Sequence, residues 1–195
     1  MPKRSLRAAA LSRRREMTAE QVASHSAALQ RRFLELPEFL EARSVASYAP
    51  VHGEVRTDLV AQAALAAGKK LLYPAVVGED LQFREVASLE ELVRGKFGIP
   101  EPVGAPFDVL KADLIVVPGV AFDICGRRIG YGKGFYDRTL HTLERTGRLV
   151  GFCYDFQLVA EIVGEPHDVT MDVVVTEVRL VRVNNNICEG EPREN

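Results

Sequence analysis

Residues 113–138 read DLIVVPGVAFDICGRRIGYGKGFYDR, and the opening DLIVV decides the fold class. Leu114, Ile115, Val116 and Val117 form an unbroken apolar run rich in β-branched residues. Such a run without polar alternation marks a strand buried on both faces of a parallel sheet. Pro118 and Gly119 end it, a glycine-rich stretch follows, and a helix is predicted from Phe135 to about Arg145. Strand, glycine-rich turn and helix make up the unit of an open α/β sheet, in which ligands sit beyond the carboxyl ends of the strands.

The same alternation extends outward in both directions. Toward the N-terminus, one helix is predicted over 3–17 and a second from Thr18, whose spacing to Gln21 suits a capping box, to Leu36 before Pro37. Ser44 to Ala49 reads as a strand, and Thr57 as the N-cap of a helix stopped by Gly68. Lys70 to Tyr73 reads as a strand ending at Pro74, and Leu81 to Val86 alternates as a strand does. Ser88 and Glu91 can open a short helix ending near Gly95, and 97–106 reads as a loop. Toward the C-terminus come a strand over Leu149–Tyr154, a helix over Phe156–Ile162, and strands over Val173–Thr176 and Val178–Val183. The expected fold is a three-layer α/β domain over 1–186, a mostly parallel sheet flanked by helices, with a frayed tail at 187–195. Its ligand-facing rim would comprise the loops 50–56, 118–134 and 164–172.

Composition narrows the function. The chain has 195 residues, 47% hydrophobic and 27% charged, enough for a sizeable core and unlike a disordered chain. A net charge of -2 gives no global attraction to nucleic acid or anionic membrane, so any anion site must be local. No apolar run approaches the roughly 20 residues needed to span a bilayer. Cys125, Cys153 and Cys188 are far apart and lack a CxxC pair, which argues against a disulfide framework and a structural zinc site. A cytoplasmic protein is expected. The basic, acid-free start has the profile of an organelle transit segment, but Lys3, Arg7 and Arg14 also fall in one helical stripe beside Leu6, Ala10 and Met17.

The chemistry concentrates in 126–138. Gly130, Gly132 and Gly134 at alternate positions let backbone N–H groups converge on one point, Lys133 can place its ammonium on a phosphate, and Arg128 stands at the entrance. The stretch is neither a Walker A loop nor a dinucleotide fingerprint: Gly134 stands where Ser or Thr is needed for the first, and Phe135 where Gly is needed for the second. Asp137, in the first turn of the following helix, and Asp172, just before VVVT, are candidate ligands for Mg²⁺ on a triphosphate. Each has a plainer reading, as a helix-dipole partner and as a turn residue. Glu54, the acid of the loop after the first strand, can grip a donor-rich ring or be a solvated loop acid.

At these residues the chain resembles the 5-formyltetrahydrofolate cyclo-ligase family, the methenyltetrahydrofolate synthetases. KRSLR, GEVRT, the Tyr73-Pro74 pair, FGIPEP, PGVAFD, GRRIGYGKGFYDR and HDVTMDVVVTE carry the resemblance from Lys3 to about Glu177. Against a family loop close to GYGGGYYDR, Lys133 replaces a glycine and Phe135 a tyrosine. The resemblance implies a fold like that of the ribose-5-phosphate isomerase and CoA-transferase superfamily. It implies ATP contacts from Lys3, Arg7, Arg128, Gly130, Tyr131, Gly132, Lys133, Gly134, Phe135 and Tyr136, with Lys133 and Arg128 serving catalysis. Folate contacts would come from Ala49, Glu54 and the loop from Tyr131 to Phe135, and Mg²⁺ would sit at Asp137 and Asp172. The implied activity is ATP- and Mg²⁺-dependent closure of 5-formyltetrahydrofolate by a monomer in one-carbon metabolism. A kinase or ligase acting on another metabolite, or a non-catalytic nucleotide-binding regulator, would reuse the same triphosphate site.

Overall fold

The computed structural model describes residues 2–184 apart from 144, 145, 147 and 166. The buried run becomes β7 (Leu114–Pro118), with neighbours on both sides in an eight-stranded sheet. In spatial order that sheet is β13 (Leu180–Arg182), β12 (Val173–Val175), β10 (Leu149–Phe152), β7, β1 (Ser44–Ala46), β2 (Lys70–Val77), β3 (Asp80–Val86) and β6 (Pro106–Phe107). The five strands from β12 to β2 run parallel, while β13, β3 and β6 pair antiparallel at the edges. A second sheet joins β11 (Leu158–Val159), β8 (Ala121–Asp123) and β9 (Arg128–Ile129), and a third joins β4 (Val93–Arg94) to β5 (Pro100–Glu101).

Alternate residues of the central strands feed two cores, as a period of two requires. Val45, Leu114, Val116, Val150 and Phe152 pack against α2 (Ala19–Leu34), α3 (Pro37–Glu41) and α4 (Asp58–Ala66) through Leu29, Phe33, Phe39, Val60 and Ala64. Ala46, Ile115, Val117 and Leu149 pack on the other face against Leu140 of α5 (Phe135–Leu140), Leu143 and Phe122. The three layers are those expected. The remaining helix, α1 (Lys3–Glu16), leans on β8, with Leu6 packed against Ala121, Ile129 and Ile162.

Local departures have local causes. Thr18 and Gln21 do form the capping box of α2. Strand β2 runs on through Pro74 to Val77, because β1 pairs with it only as far as Leu72 and a proline there breaks no ladder on that side. The helix expected over 156–162 is a 3-10 turn (Asp155–Gln157) followed by β11, which pairs with β8. The loop assigned to 97–106 contains β5, a 3-10 turn over Lys96–Gly98 and the start of β6. Helix α5 is shorter than predicted and continues as a 3-10 turn over His141–Leu143, while Arg145 and the tail at 187–195 lie outside the described residues. Cys153 is a buried free thiol, but Cys125 is disulfide-bonded, which corrects the reading from spacing alone. Sequence separation does not set distance in the folded chain. No helix among the described residues is long and apolar enough to cross a membrane.

Candidate active site

The carboxyl ends of β1 and β7 open onto a cavity of about 620 Å³, lined at its floor by Tyr48, Ala49, Pro118 and Gly119. One side of it is basic and rich in glycine. Gly132 (φ +90°) and Gly134 (φ +67°) lie in the left-handed region, which a side chain would strain, so the loop depends on glycine at both positions. Arg7 of α1 donates from Nε to the Gly130 carbonyl at 2.8 Å and holds the loop from outside. Arg128 is 6% exposed, and its Nη2 donates to Asp137 Oδ1 at 2.6 Å. Its Nε is buried without a hydrogen-bond partner among the described residues, a donor that an incoming anion would satisfy. Lys133 is exposed, its ammonium 5.9 Å from the centre of the Phe97 ring.

Lys3 reaches the same side and pairs with Asp168 at 2.6 Å and Glu165 at 3.3 Å. Partial burial disfavours its charge, yet these two carboxylates outweigh that and raise its pKa. The ligating atoms of Glu165, His167 and Asp168 lie within 4.8 Å of one another, so a divalent cation could be held there. Lys3 and Arg128 are thus each matched by a carboxylate on the same wall, while Arg7 is held by the Gly130 carbonyl.

The other side holds a buried acid among tyrosines. The turn at His52 (φ 50°) and Gly53 (φ 73°) folds the loop back so that Glu54 points inward, 5% exposed. Its carboxylate accepts a hydrogen bond from the Val51 amide at 3.0 Å. Tyr48 donates to the Val55 carbonyl at 2.8 Å and Thr57 to the Tyr48 carbonyl at 2.8 Å, which fastens the loop to the end of β1. Burial raises the pKa of Glu54, against the Val51 amide, the Arg14 charge and the Tyr131 hydroxyl, which lower it. The Tyr131 phenol is pushed up to about 12, by burial first and then by the Glu54 charge.

Lys3, Arg7, Ala49, Glu54, Arg128, Gly130, Tyr131, Gly132, Lys133, Gly134, Phe135, Tyr136 and Asp137 all line this one cavity. Asp172 does not. It precedes β12, and its carboxylate accepts from the amide of Leu149, the first residue of the parallel strand β10, at 2.9 Å. A residue just before a parallel strand stands at the amino end of the sheet, away from the mouth at the carboxyl ends, so the expected pairing of Asp172 with Asp137 is corrected. The rim acids missed from the sequence are Glu165 and Asp168. Their signal was position, since they lie inside the rim loop after Gly164 instead of at its strand-proximal end. Phe97 and Glu101 also reach the cavity, from the segment assigned to a loop.

The model of the 5-formyltetrahydrofolate cyclo-ligase family matches residues 1–177. The chain is 35% identical over 149 residues to a 5-formyltetrahydrofolate cyclo-ligase of Mycolicibacterium smegmatis, covering 72% of this chain and 76% of the relative. It is 34% identical over 172 residues to the cyclo-ligase of Escherichia coli, covering 84% of this chain and 94% of the relative. Among solved structures, the NMR structure of a 5,10-methenyltetrahydrofolate synthetase from Aquifex aeolicus matches with a TM-score of 0.84 and 36% identity. That match covers 100% of this chain and 97% of the other.

Proposed function

Since the chain belongs to the 5-formyltetrahydrofolate cyclo-ligase family, we propose that it converts 5-formyltetrahydrofolate and ATP to 5,10-methenyltetrahydrofolate, ADP and phosphate. The observation that carries this reading is the two-sided cavity, with a basic, glycine-rich wall suited to a triphosphate and a buried acid among aromatic rings suited to a polar heterocycle.

The N5-formyl group is an amide, and its oxygen cannot leave unaided. Transfer of the γ-phosphoryl group to that oxygen releases ADP and turns the formyl carbon into an iminium-like electrophile. The N10 lone pair then attacks this carbon, the N10 proton is lost, and the C–O bond breaks with phosphate as the leaving group. The reaction makes no covalent bond to the protein. Phosphoryl transfer needs positioning and charge neutralisation above all. Lys133 and the buried Nε of Arg128, both lining the cavity, would serve the second, and the amides of the glycine loop the first. Glu54 would accept hydrogen bonds from the N–H groups of the pterin ring.

Mg²⁺ fits the donor set: hard oxygen ligands are available from Asp137, Asp168 and Glu165 on the phosphate side. When bound it supplies further neutralisation of the triphosphate. In the free site Asp137 is paired with Arg128, and Asp168 and Glu165 with Lys3. Asp137, Asp168 and Glu165 would hold the metal, and Arg128 and Lys3, their partners in the free site, would face the phosphates, so no charge would be left unpaired.

The test is incubation with ATP, Mg²⁺ and 5-formyltetrahydrofolate while the near-ultraviolet absorbance of the methenyl product is followed. Product formation that stops when either ATP or Mg²⁺ is omitted is expected. ATP hydrolysis unaffected by the folate, with no absorbance change, would overturn the assignment.

A further inference from the structure

Helix α1 presents three basic residues in one stripe, and the reading above uses only Lys3 and Arg7. Arg14, two turns beyond Arg7 and therefore on the same face, is the most deeply buried of the three, 3% exposed. A guanidinium removed from water needs several partners. Its Nε donates to the His52 carbonyl at 3.1 Å, its Nη1 to the Gly119 carbonyl at 3.4 Å, and its Nη2 to the Tyr131 hydroxyl. Each partner belongs to a different wall of the cavity: the Glu54 loop, the end of β7 and the glycine loop. Tyr131, itself 43% exposed, interacts through its hydroxyl with the Glu54 carboxyl in turn, so it links the buried Arg14 guanidinium to the buried acid.

We propose that Arg14 is a positioning residue for the folate side of the cavity: it orients Tyr131, sets its positive charge against the buried Glu54 carboxyl, and joins this side through α1 to the phosphate side held by Lys3 and Arg7. The inference rests on the reading of the cavity as a folate and ATP site. A purely structural arginine could make the same two carbonyl bonds, but it would not govern the state of Glu54. Among the described residues, the groups that interact with Glu54 are Arg14 from α1, the Val51 amide from its own loop, Tyr131 from the glycine loop, Tyr48 after β1, Tyr136 of α5 and Tyr154 after β10. All four tyrosines have their pKa values raised by burial and stay neutral through the neutral range, which leaves Arg14 as the cation acting on Glu54.

Arg14→Met keeps the packing stem and removes the charge. The affinity for 5-formyltetrahydrofolate should fall about tenfold or more, and that for a non-hydrolysable ATP analogue should stay within about twofold. Part of the folate loss should be regained as the pH is raised and Glu54 deprotonates, and the Arg14→Met, Glu54→Gln double variant should show no such recovery. Arg14→Lys retains charge without the fork, so Glu54 should titrate near its parental position while folate affinity remains reduced. The carboxyl of Glu54, followed by ¹³C NMR in the ligand-free protein, judges the assignment without any ligand, and it should titrate at higher pH in Arg14→Met. An unchanged titration, or equal losses for folate and nucleotide, would overturn the proposal. If Arg14→Met does not fold, parental folate affinity in Arg14→Lys would overturn it equally. A parent protein that binds no folate would instead sink the site reading, with the carboxyl titration still deciding the role of Arg14.

Discussion

At the scale of single residues, Lys133 and Glu54 show opposite relations between burial and function. Lys133 is exposed and its side chain carries little of the fold, so Lys133→Ala should leave stability within about 0.5 kcal/mol. Turnover should fall on the order of 10²-fold, as when one donor to a developing charge is lost. Methenyl formation at a near-parental rate in a normally melting variant would remove Lys133 from the phosphate site. Glu54 instead weighs against stability. Its folded pKa stands above the ordinary 4.5, chiefly through burial. Above 4.5 and up to the raised value, the folded protein retains a proton that the unfolded chain has released, so stability falls as pH rises through that window. Glu54→Gln should abolish this contribution, giving a flatter dependence of urea-unfolding free energy on pH, and should weaken folate binding while leaving ATP affinity in place. A parental pH dependence would mean that Glu54 titrates normally.

Among the elements, the β8–β9 hairpin matters most to the site, because β9 carries Arg128 and leads into the glycine loop. Phe122 of β8 is fully buried and anchors the hairpin to the main sheet. Its ring fits because two neighbours lack side chains: a Cβ at Gly151 of β10 or at Gly119 would lie 2.4 Å from ring carbons. Phe122→Ala would empty this seat and should cost about 3–5 kcal/mol in urea unfolding. ATP affinity should weaken as well, since Arg128 and the loop lose their anchor. A loss of stability below about 1 kcal/mol would mean that the neighbours collapse into the space. The helix α1 serves differently, as a strut rather than a core element, with Lys3, Arg7 and Arg14 each making contact with the rim.

On the scale of the whole molecule, the two ends of the parallel sheet do different work. At the amino end, aspartates that precede strands cap their neighbours. Asp113 accepts from the Arg43 and Ser44 amides at 2.9 and 3.0 Å, beside β1, and Asp172 does the same for Leu149 at the start of β10. At the carboxyl end, the aspartates Asp137 and Asp168 face the cavity and pair with cations. Asp172→Asn should therefore lower stability by about 1–2 kcal/mol and leave the Mg²⁺ titration of activity unchanged. Asp137→Asn should move that titration to higher Mg²⁺ with the fold intact. The reverse pattern would return Asp172 to the metal.

Much of this was legible beforehand. The unbroken DLIVV run required a strand covered on both faces, and the Thr18–Gln21 spacing required a helix start, since both depend on interactions within a few residues. The glycine loop was legible for the same reason: backbone freedom at Gly132 and Gly134 is a property of those residues themselves. What only the tertiary structure decided was which side chains meet. Asp168 and Asp172 lie within one short segment, yet one faces the cavity and the other caps β10, because strand direction assigns them to opposite ends. The segment 156–162 had apolar content compatible with a helix, and pairing with β8 drew part of it into a strand. Arg14 stood in the basic stripe from the start. Its burial between three loops depends on contacts from residues 38 to 117 positions away, and periodicity along the chain carries no record of distances on that scale.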